Sequence, residues 1–257
     1  MGPRYASTSR STRASTGKAC FLARPLPSRQ GLRDLPGIEV EGLWTHMANA
    51  DESDDSFSAE QLERFLETRK ALPWIPYTHA ANSATVLRRA ELHFDGVRAG
   101  LMLYGLCPPN TPDPGLRPAM AVRARLARVL SLEPGEGVSY GLTWRAKEPS
   151  VVGLVPVGYG DGWRRSLGNV ASVLVGGERC PIVGRVCMDQ FLVDLTHLGW
   201  RPEEGQPVTL LGEDGGQCIT ADEVAELGGT ISWEVVTALL PRLPRLYHAG
   251  GLLEPGD

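Results

Sequence analysis

The sequence predicts an α/β segment followed by a mainly antiparallel β-domain, and three observations carry that reading. Between residues 36 and 115, strand-like and helix-like runs alternate with short links, the pattern of parallel βαβ units. A Pro-rich stretch, CPPNTPDPGLRP, interrupts the pattern at Cys107–Pro118. Beyond it, apolar strand-like runs are separated by turn residues and accompanied by one short helix. The β-domain is therefore expected to occupy 116–257.

Residues 1–35 are rich in Ser, Thr, Arg and Pro and show no apolar periodicity, so they are expected to be disordered or not native to the fold. An Arg- and Ser-rich start also resembles an organelle transit peptide, but STSRSTRAST offers no apolar helix face. From Gly37 the character changes. IEVEGLWT (38–45) mixes β-branched and aromatic residues and reads as a strand. Ser58 and Gln61 make a capping-box pattern, with Leu62, Phe65, Leu66 and Leu72 following at helical spacing until Pro73. A short strand near Ile75–His79 comes next, then Ser83 as N-cap of a helix over ATVLRRAEL. A third strand lies near Gly96–Arg98. Three parallel strands are expected.

In the second half, strand-like runs cover Val122–Leu132, Val151–Val157, Ala171–Val175, Cys180–Leu195 and Val208–Leu211. Thr220 and Glu223 form another capping box, opening a helix that Gly228 and Gly229 end.

Composition narrows the function classes. With 42% hydrophobic and 22% charged residues the chain is ordinary globular protein. No apolar run is long enough to span a membrane. A net charge of −4 argues against a general nucleic-acid binder. Five scattered cysteines form no CxxC pair and read as buried reduced thiols, which points to the cytoplasm and to no metal site. Lysine is scarce: Lys18, Lys70 and Lys147 only.

Several residues could carry chemistry. His46 and His79 fall at the C-terminal ends of predicted parallel strands, the edge where such sheets bind ligands. Arg98 ends the third strand. Ser83 at a helix start, with Gly100 allowing close backbone approach, suggests an anion seat. In the β-domain, VSYGLTW, VPVGYGDGW and GRVCMDQ stand out, with Tyr140 and Tyr159 each followed by glycine. Met188 is by itself more often core packing, and Asp189 in an apolar strand would need a partner if buried. Each of these residues taken alone has a bland reading as loop, cap or core.

Together the strings EGLWTHMANAD, THAANSAT, FDGVRAGLMLYG, VSYGLTWRA, VPVGYGDGWRR and GRVCMDQFLVDL resemble the bacterial alanine racemases, pyridoxal-phosphate enzymes of fold type III. The resemblance runs from Leu35 to about Tyr247. It implies the C-terminal part of a TIM-like (β/α)8 barrel, contributing its last three β/α units, followed by the family's β-domain. It also implies interconversion of L- and D-alanine for peptidoglycan, with pyridoxal 5'-phosphate as cofactor. A homodimer is implied, in which one subunit's β-domain completes the other's site.

By the same resemblance, Tyr140 is the catalytic base on the L-alanine face. An ordinary phenol is a poor base at neutral pH, so His46 and Arg98 would supply the network that activates it. Arg98 would face the cofactor's pyridine nitrogen and keep it unprotonated, with His79 supporting it. Ser83 and the backbone of Gly100 and Leu101 would bind the phosphate. Tyr159 and Met188 would line the substrate site, Met188 through its backbone N–H.

Three family elements have no counterpart. The lysine that carries the cofactor covalently sits in a VVKANAYGHG-type strand, and none of the three lysines occupies such a motif. The family's phosphate-binding tyrosine and ring-contacting arginine upstream of GLWTH are also unmatched. The expectation is a C-terminal fragment of a racemase that shows no turnover by itself. Two alternatives stand beside it: a non-catalytic module that binds an intact subunit, and a fold-type-III racemase for another amino acid.

Overall fold

A computed structural model describes residues 5–10, 33 and 36–247, with side chains left aside for 5–10 and 38. The chain divides into two compact units, Met1–Arg117 and Pro118–Asp257.

The first unit is built on a parallel four-stranded sheet. Its strands are β1 (Tyr5–Arg10), β2 (Ile38–Trp44), β3 (Tyr77–Asn82) and β4 (Gly96–Arg98), in that spatial order. The reading of three strands is corrected by β1, which pairs in parallel with β2 from Tyr5↔Ile38 to Arg10↔Trp44. Main-chain pairing does not need an apolar side-chain pattern, which is why this segment gave no strand signal. The rest of the expected non-native segment lies outside the described residues, apart from Arg33.

Helix α1 (Ser56–Ala71) connects β2 to β3, and α2 (Ser83–Arg88) connects β3 to β4. Leu43, Phe65, Leu72, Ile75 and Ala80 form the core between sheet and α1. Leu66, expected on that face, is exposed, and the buried stripe is Ser58, Gln61, Phe65 and Thr68. The predicted Ser58–Gln61 capping box does not form. The helix begins three residues earlier, its N-cap at Asp55 rather than Ser58, so Ser58 lies inside its first turn. The second helix is shorter than predicted and its N-cap is Asn82, whose side chain accepts from the Thr85 N–H at 3.0 Å. Ser83 is therefore its first residue rather than its cap.

In the second unit the predicted runs resolve into β5 (Val122–Arg125), β6 (Arg128–Leu132), β9 (Ser150–Val155), β10 (Ser172–Val175), β11 (Glu178–Val183), β12 (Phe191–Asp194) and β13 (Pro207–Asp214), and the structure adds β14 (Gln217–Ile219), which the sequence reading did not include. All pairings among them are antiparallel, in the order β14-β13-β10-β11-β12-β9-β6 with β5 also on β13. A small hairpin, β7 (Gly137–Val138) and β8 (Trp144–Arg145), stands apart from that sheet. The single strand read over Cys180–Leu195 is two, because residues 184–190 leave the sheet as a loop. Asp189 sits in this loop and is exposed, so it needs no buried partner. Helix α3 (Ala221–Gly228) forms as predicted, with Thr220 accepting from the Glu223 N–H at 3.1 Å and left-handed Gly229 closing it. A further short helix, α4 (Ser232–Thr237), follows.

Among the described residues no helix is long and apolar enough to cross a membrane, and no group of His, Cys, Asp or Glu could hold a metal ion. The described cysteines are all free thiols. Cys180 and Cys187 are buried, but Cys107 and Cys218 are only half-buried, and Cys20 lies outside the described residues.

Candidate active site

In the first unit the end of β2, the middle of β3 and the end of β4 converge on one guanidinium; His79, expected at the end of its strand, lies inside β3, which runs on to Asn82. Arg98 ends β4 and reaches back across the sheet. Its Nη2 donates to the Thr45 carbonyl at 2.8 Å and to the Ala80 carbonyl at 3.2 Å, and lies 3.2 Å from His46 Nδ1. Its Nη1 lies 2.8 Å from His79 Nδ1. Guanidinium has no acceptor, so both imidazole nitrogens accept, and each ring carries its proton on Nε2 when neutral. Burial first, then the adjacent Arg98 charge, holds His79 below the usual histidine range. Trp44 completes the arrangement: its ring lies 4.9 Å beneath Arg98 Cζ and stacks on His79 at 5.9 Å. Sequence alone does not single out Trp44, since an aromatic in a strand reads first as packing.

Parallel pairing makes this convergence possible. The β2–β3 register places Trp44 beside His79, and the β3–β4 register places Asn82 beside Arg98. Three side chains separated by tens of residues therefore meet at one sheet edge.

Ser83 serves a different function from the cap read in the sequence. Its buried Oγ accepts from the Gly100 N–H at 3.0 Å and from the Met102 N–H at 3.4 Å. A hydroxyl accepts two bonds and donates one, so the Ser83 O–H still has one bond to give. A side chain at Gly100 would meet nothing within 4 Å, which leaves open space over this loop. Leu101 packs its side chain inward and is buried, so it can contribute only its backbone to a ligand.

The second unit assembles the other three predicted residues on linked loops. Tyr140 projects from the β7–β8 hairpin and is 74% exposed. The turn beneath it is unusual, with positive φ at Ser139, Gly141 and Leu142. Ser139 Oγ donates to the Arg185 carbonyl at 2.6 Å, which ties the hairpin to the 184–190 loop. On that loop's other side the Tyr159 N–H donates to the Cys187 carbonyl at 3.0 Å, and the Gly160 N–H to the Met188 carbonyl at 2.7 Å. Gly158 makes this approach possible: a Cβ there would fall 2.4 Å from the Cys187 oxygen. Met188 (62% exposed) and Tyr159 (44%) thus flank the base of the Tyr140 hairpin.

Sequence reasoning missed one element here. Asp161 is fully buried, its Oδ2 accepts from the Gly158 N–H at 2.9 Å, and both its oxygens are gripped by the Arg242 guanidinium. GYGDG was legible only as a turn, and no local signal links it to an arginine 81 residues later.

These observations agree with comparisons against known proteins. The family model described as "Alanine racemase, C-terminal domain" matches residues 119–247, and "Alanine racemase, N-terminal domain" matches 28–108. The alanine racemase of Mycobacterium tuberculosis is 42% identical over 241 residues, 92% of this chain and 62% of that protein. That of Carboxydothermus hydrogenoformans is 40% identical over 238 residues, 90% of this chain and 64% of that protein. Among solved structures, alanine racemase from E. faecalis superposes with a TM-score of 0.86 at 36% identity, covering 95% of this chain and 65% of that one. Alanine racemase from Bacillus anthracis with bound L-Ala-P gives 0.84 at 36% identity, covering 96% and 65%. The chain spans about three fifths of the length of the curated relatives it matches. With both domain models matched in order, and the strand-tip and loop residues gathered as described, the chain belongs to the alanine racemase family.

Proposed function

We propose that this chain carries the ring-nitrogen, phosphate and substrate-lining parts of an alanine racemase, acting on alanine with pyridoxal 5'-phosphate in the cytoplasm. The observation that carries this reading is Arg98, held by His79, His46 and Thr45 at one strand-tip cluster. The four-stranded unit is then part of a (β/α)8 barrel.

The residues fit two ends of the cofactor. Ser83, whose O–H still has one bond to give beside the open space over Gly100, suits a phosphate oxygen. Arg98, a donor that does not lose its proton, suits an unprotonated pyridine nitrogen. Among the described residues neither lysine fits covalent attachment: Lys70 and Lys147 are exposed, on α1 and after β8, and Lys18 lies outside the described residues. When bound, pyridoxal 5'-phosphate supplies the electron sink that makes the substrate α-proton removable.

This chain's own residues would then act as follows. Arg98 orients the ring, and its hydrogen bonds to the two imidazoles fix their tautomers. Ser83 and the Gly100–Leu101 backbone anchor the phosphate. Tyr140 moves the substrate proton, while Tyr159 and the Met188 N–H hold the amino acid. The exposure of Tyr140, Met188 and Leu142 supports a second copy of the chain as the partner that this loop cluster serves, in a homodimer.

Two measurements test the reading. Equilibrium dialysis of the purified chain should show reversible pyridoxal 5'-phosphate binding that Arg98→Ala and Ser83→Ala each weaken about tenfold or more. Mixed with a full-length alanine racemase bearing Phe in place of its own catalytic tyrosine, the chain should restore D-alanine formation, and Tyr140→Phe should not. Absence of cofactor binding overturns the first half. A confirmed mixed dimer without turnover overturns the second.

A further inference from the structure

We propose that Gln61 is a positioning residue, whose buried amide fixes the turn after β2 so that His46 and the Thr45 carbonyl both face Arg98. The inference rests on the reading of Arg98 as the ring-nitrogen partner and adds to it the residue that holds its surroundings in place.

All of the Gln61 side-chain amide is spent on one turn. Its Nε2 donates to the His46 carbonyl at 2.6 Å and to Thr45 Oγ1 at 3.1 Å, and its Oε1 accepts from the Ala48 N–H at 3.0 Å. These contacts bracket His46 on both sides of its own backbone. Gln61 is buried, as is Thr45, so neither exchanges these bonds freely with water. Arg98 meets the same turn from the opposite side, through the Thr45 carbonyl and His46 Nδ1.

His46 itself is exposed, so packing does not fix its ring. Its orientation depends on where the backbone places its Cβ, and Gln61 fixes that backbone from α1. A glutamine on the buried stripe of an amphipathic helix needs partners, since an unpaired buried amide is costly. Here its partners lie on the strand tip rather than on its own helix terminus. Together with the earlier helix start after Asp55, this leaves no Ser58–Gln61 capping box.

The test uses the whole chain with isotopically labelled histidine, His46 being assigned through His46→Gln. In a folded Gln61→Met variant, which keeps roughly the side-chain volume and removes three hydrogen bonds, the His46 Nδ1 nitrogen resonance should move to that of a solvated imidazole. The Ala48 amide should lose its slow exchange. Reversible pyridoxal 5'-phosphate affinity should fall roughly fivefold, the scale of one lost positioning bond. Gln61→Glu, which keeps an acceptor for the Ala48 N–H, should retain the Ala48 protection while shifting His46, and it carries the test if Gln61→Met does not fold. An unchanged His46 resonance in either folded variant overturns the positioning role, whatever the cofactor does. A wild-type chain that binds no cofactor overturns the proposed function and leaves the histidine result to decide Gln61 separately.

Discussion

Arg98 Nη1 lies 2.8 Å from His79 Nδ1, so a side chain that only donates is matched to a ring that is kept neutral enough to accept. Histidine titration by NMR should therefore find His79 below its ordinary value, and Arg98→Met should raise it while leaving the burial contribution. The sign for stability follows. A histidine whose folded value is depressed binds protons more readily when unfolded. Its contribution is present above about pH 6.5 and is lost as pH falls through the folded value. Urea denaturation at pH 7.5 and pH 5 should show lower stability at the acid end, with a smaller difference in Arg98→Met.

Asp161 should be sensitive to truncation. Asp161→Ala strands the Gly158 N–H, which should cost about 1–3 kcal/mol in urea denaturation. Because Gly158 sets the approach of the Tyr159 loop to Cys187, the Tyr159 amide should also lose hydrogen-exchange protection.

Phe65 is fully buried between α1 and the parallel sheet. Phe65→Ala should destabilise by about 3–5 kcal/mol. Thr220→Ala, which removes only the cap of α3, should cost about 1 kcal/mol. Comparing the two by thermal or urea unfolding separates core loss from cap loss.

Burial, followed by the charges of Asp194 and Glu178, pushes the Cys180 thiol up to about 12. Iodoacetamide at pH 8 should leave Cys180 unmodified in the native chain and alkylate it after denaturation, read by peptide mass spectrometry.

The two halves of the molecule were legible to different depths. The strand ends at His46 and Arg98 could be read because parallel topology brings such ends together, whereas His79, read as a strand end, lies inside β3 three residues before its last residue, Asn82. The Thr220 cap was legible because its partner lies three residues away. Ser-x-x-Gln at 58–61 carries the same local signature, yet tertiary partners at Thr45, His46 and Ala48 claimed the glutamine. Strand β1 was invisible because main-chain pairing needs no apolar side-chain pattern. The Asp161–Arg242 pair spans a distance over which sequence spacing says nothing.

The positive-φ backbone at Ser139 and Leu142 has an engineering corollary. Conformations that L-amino acids avoid are occupied on both flanks of Tyr140; the one at Ser139, with ψ 173°, suits glycine alone, while glycine or asparagine tolerates a positive φ such as that of Leu142 with less penalty. Leu142 is half-exposed, so relieving it there empties no cavity. A directed-evolution campaign for heat tolerance should accordingly recover Leu142→Gly or Leu142→Asn early, and each such gain would come from the loosest-looking corner of the scaffold rather than its interior.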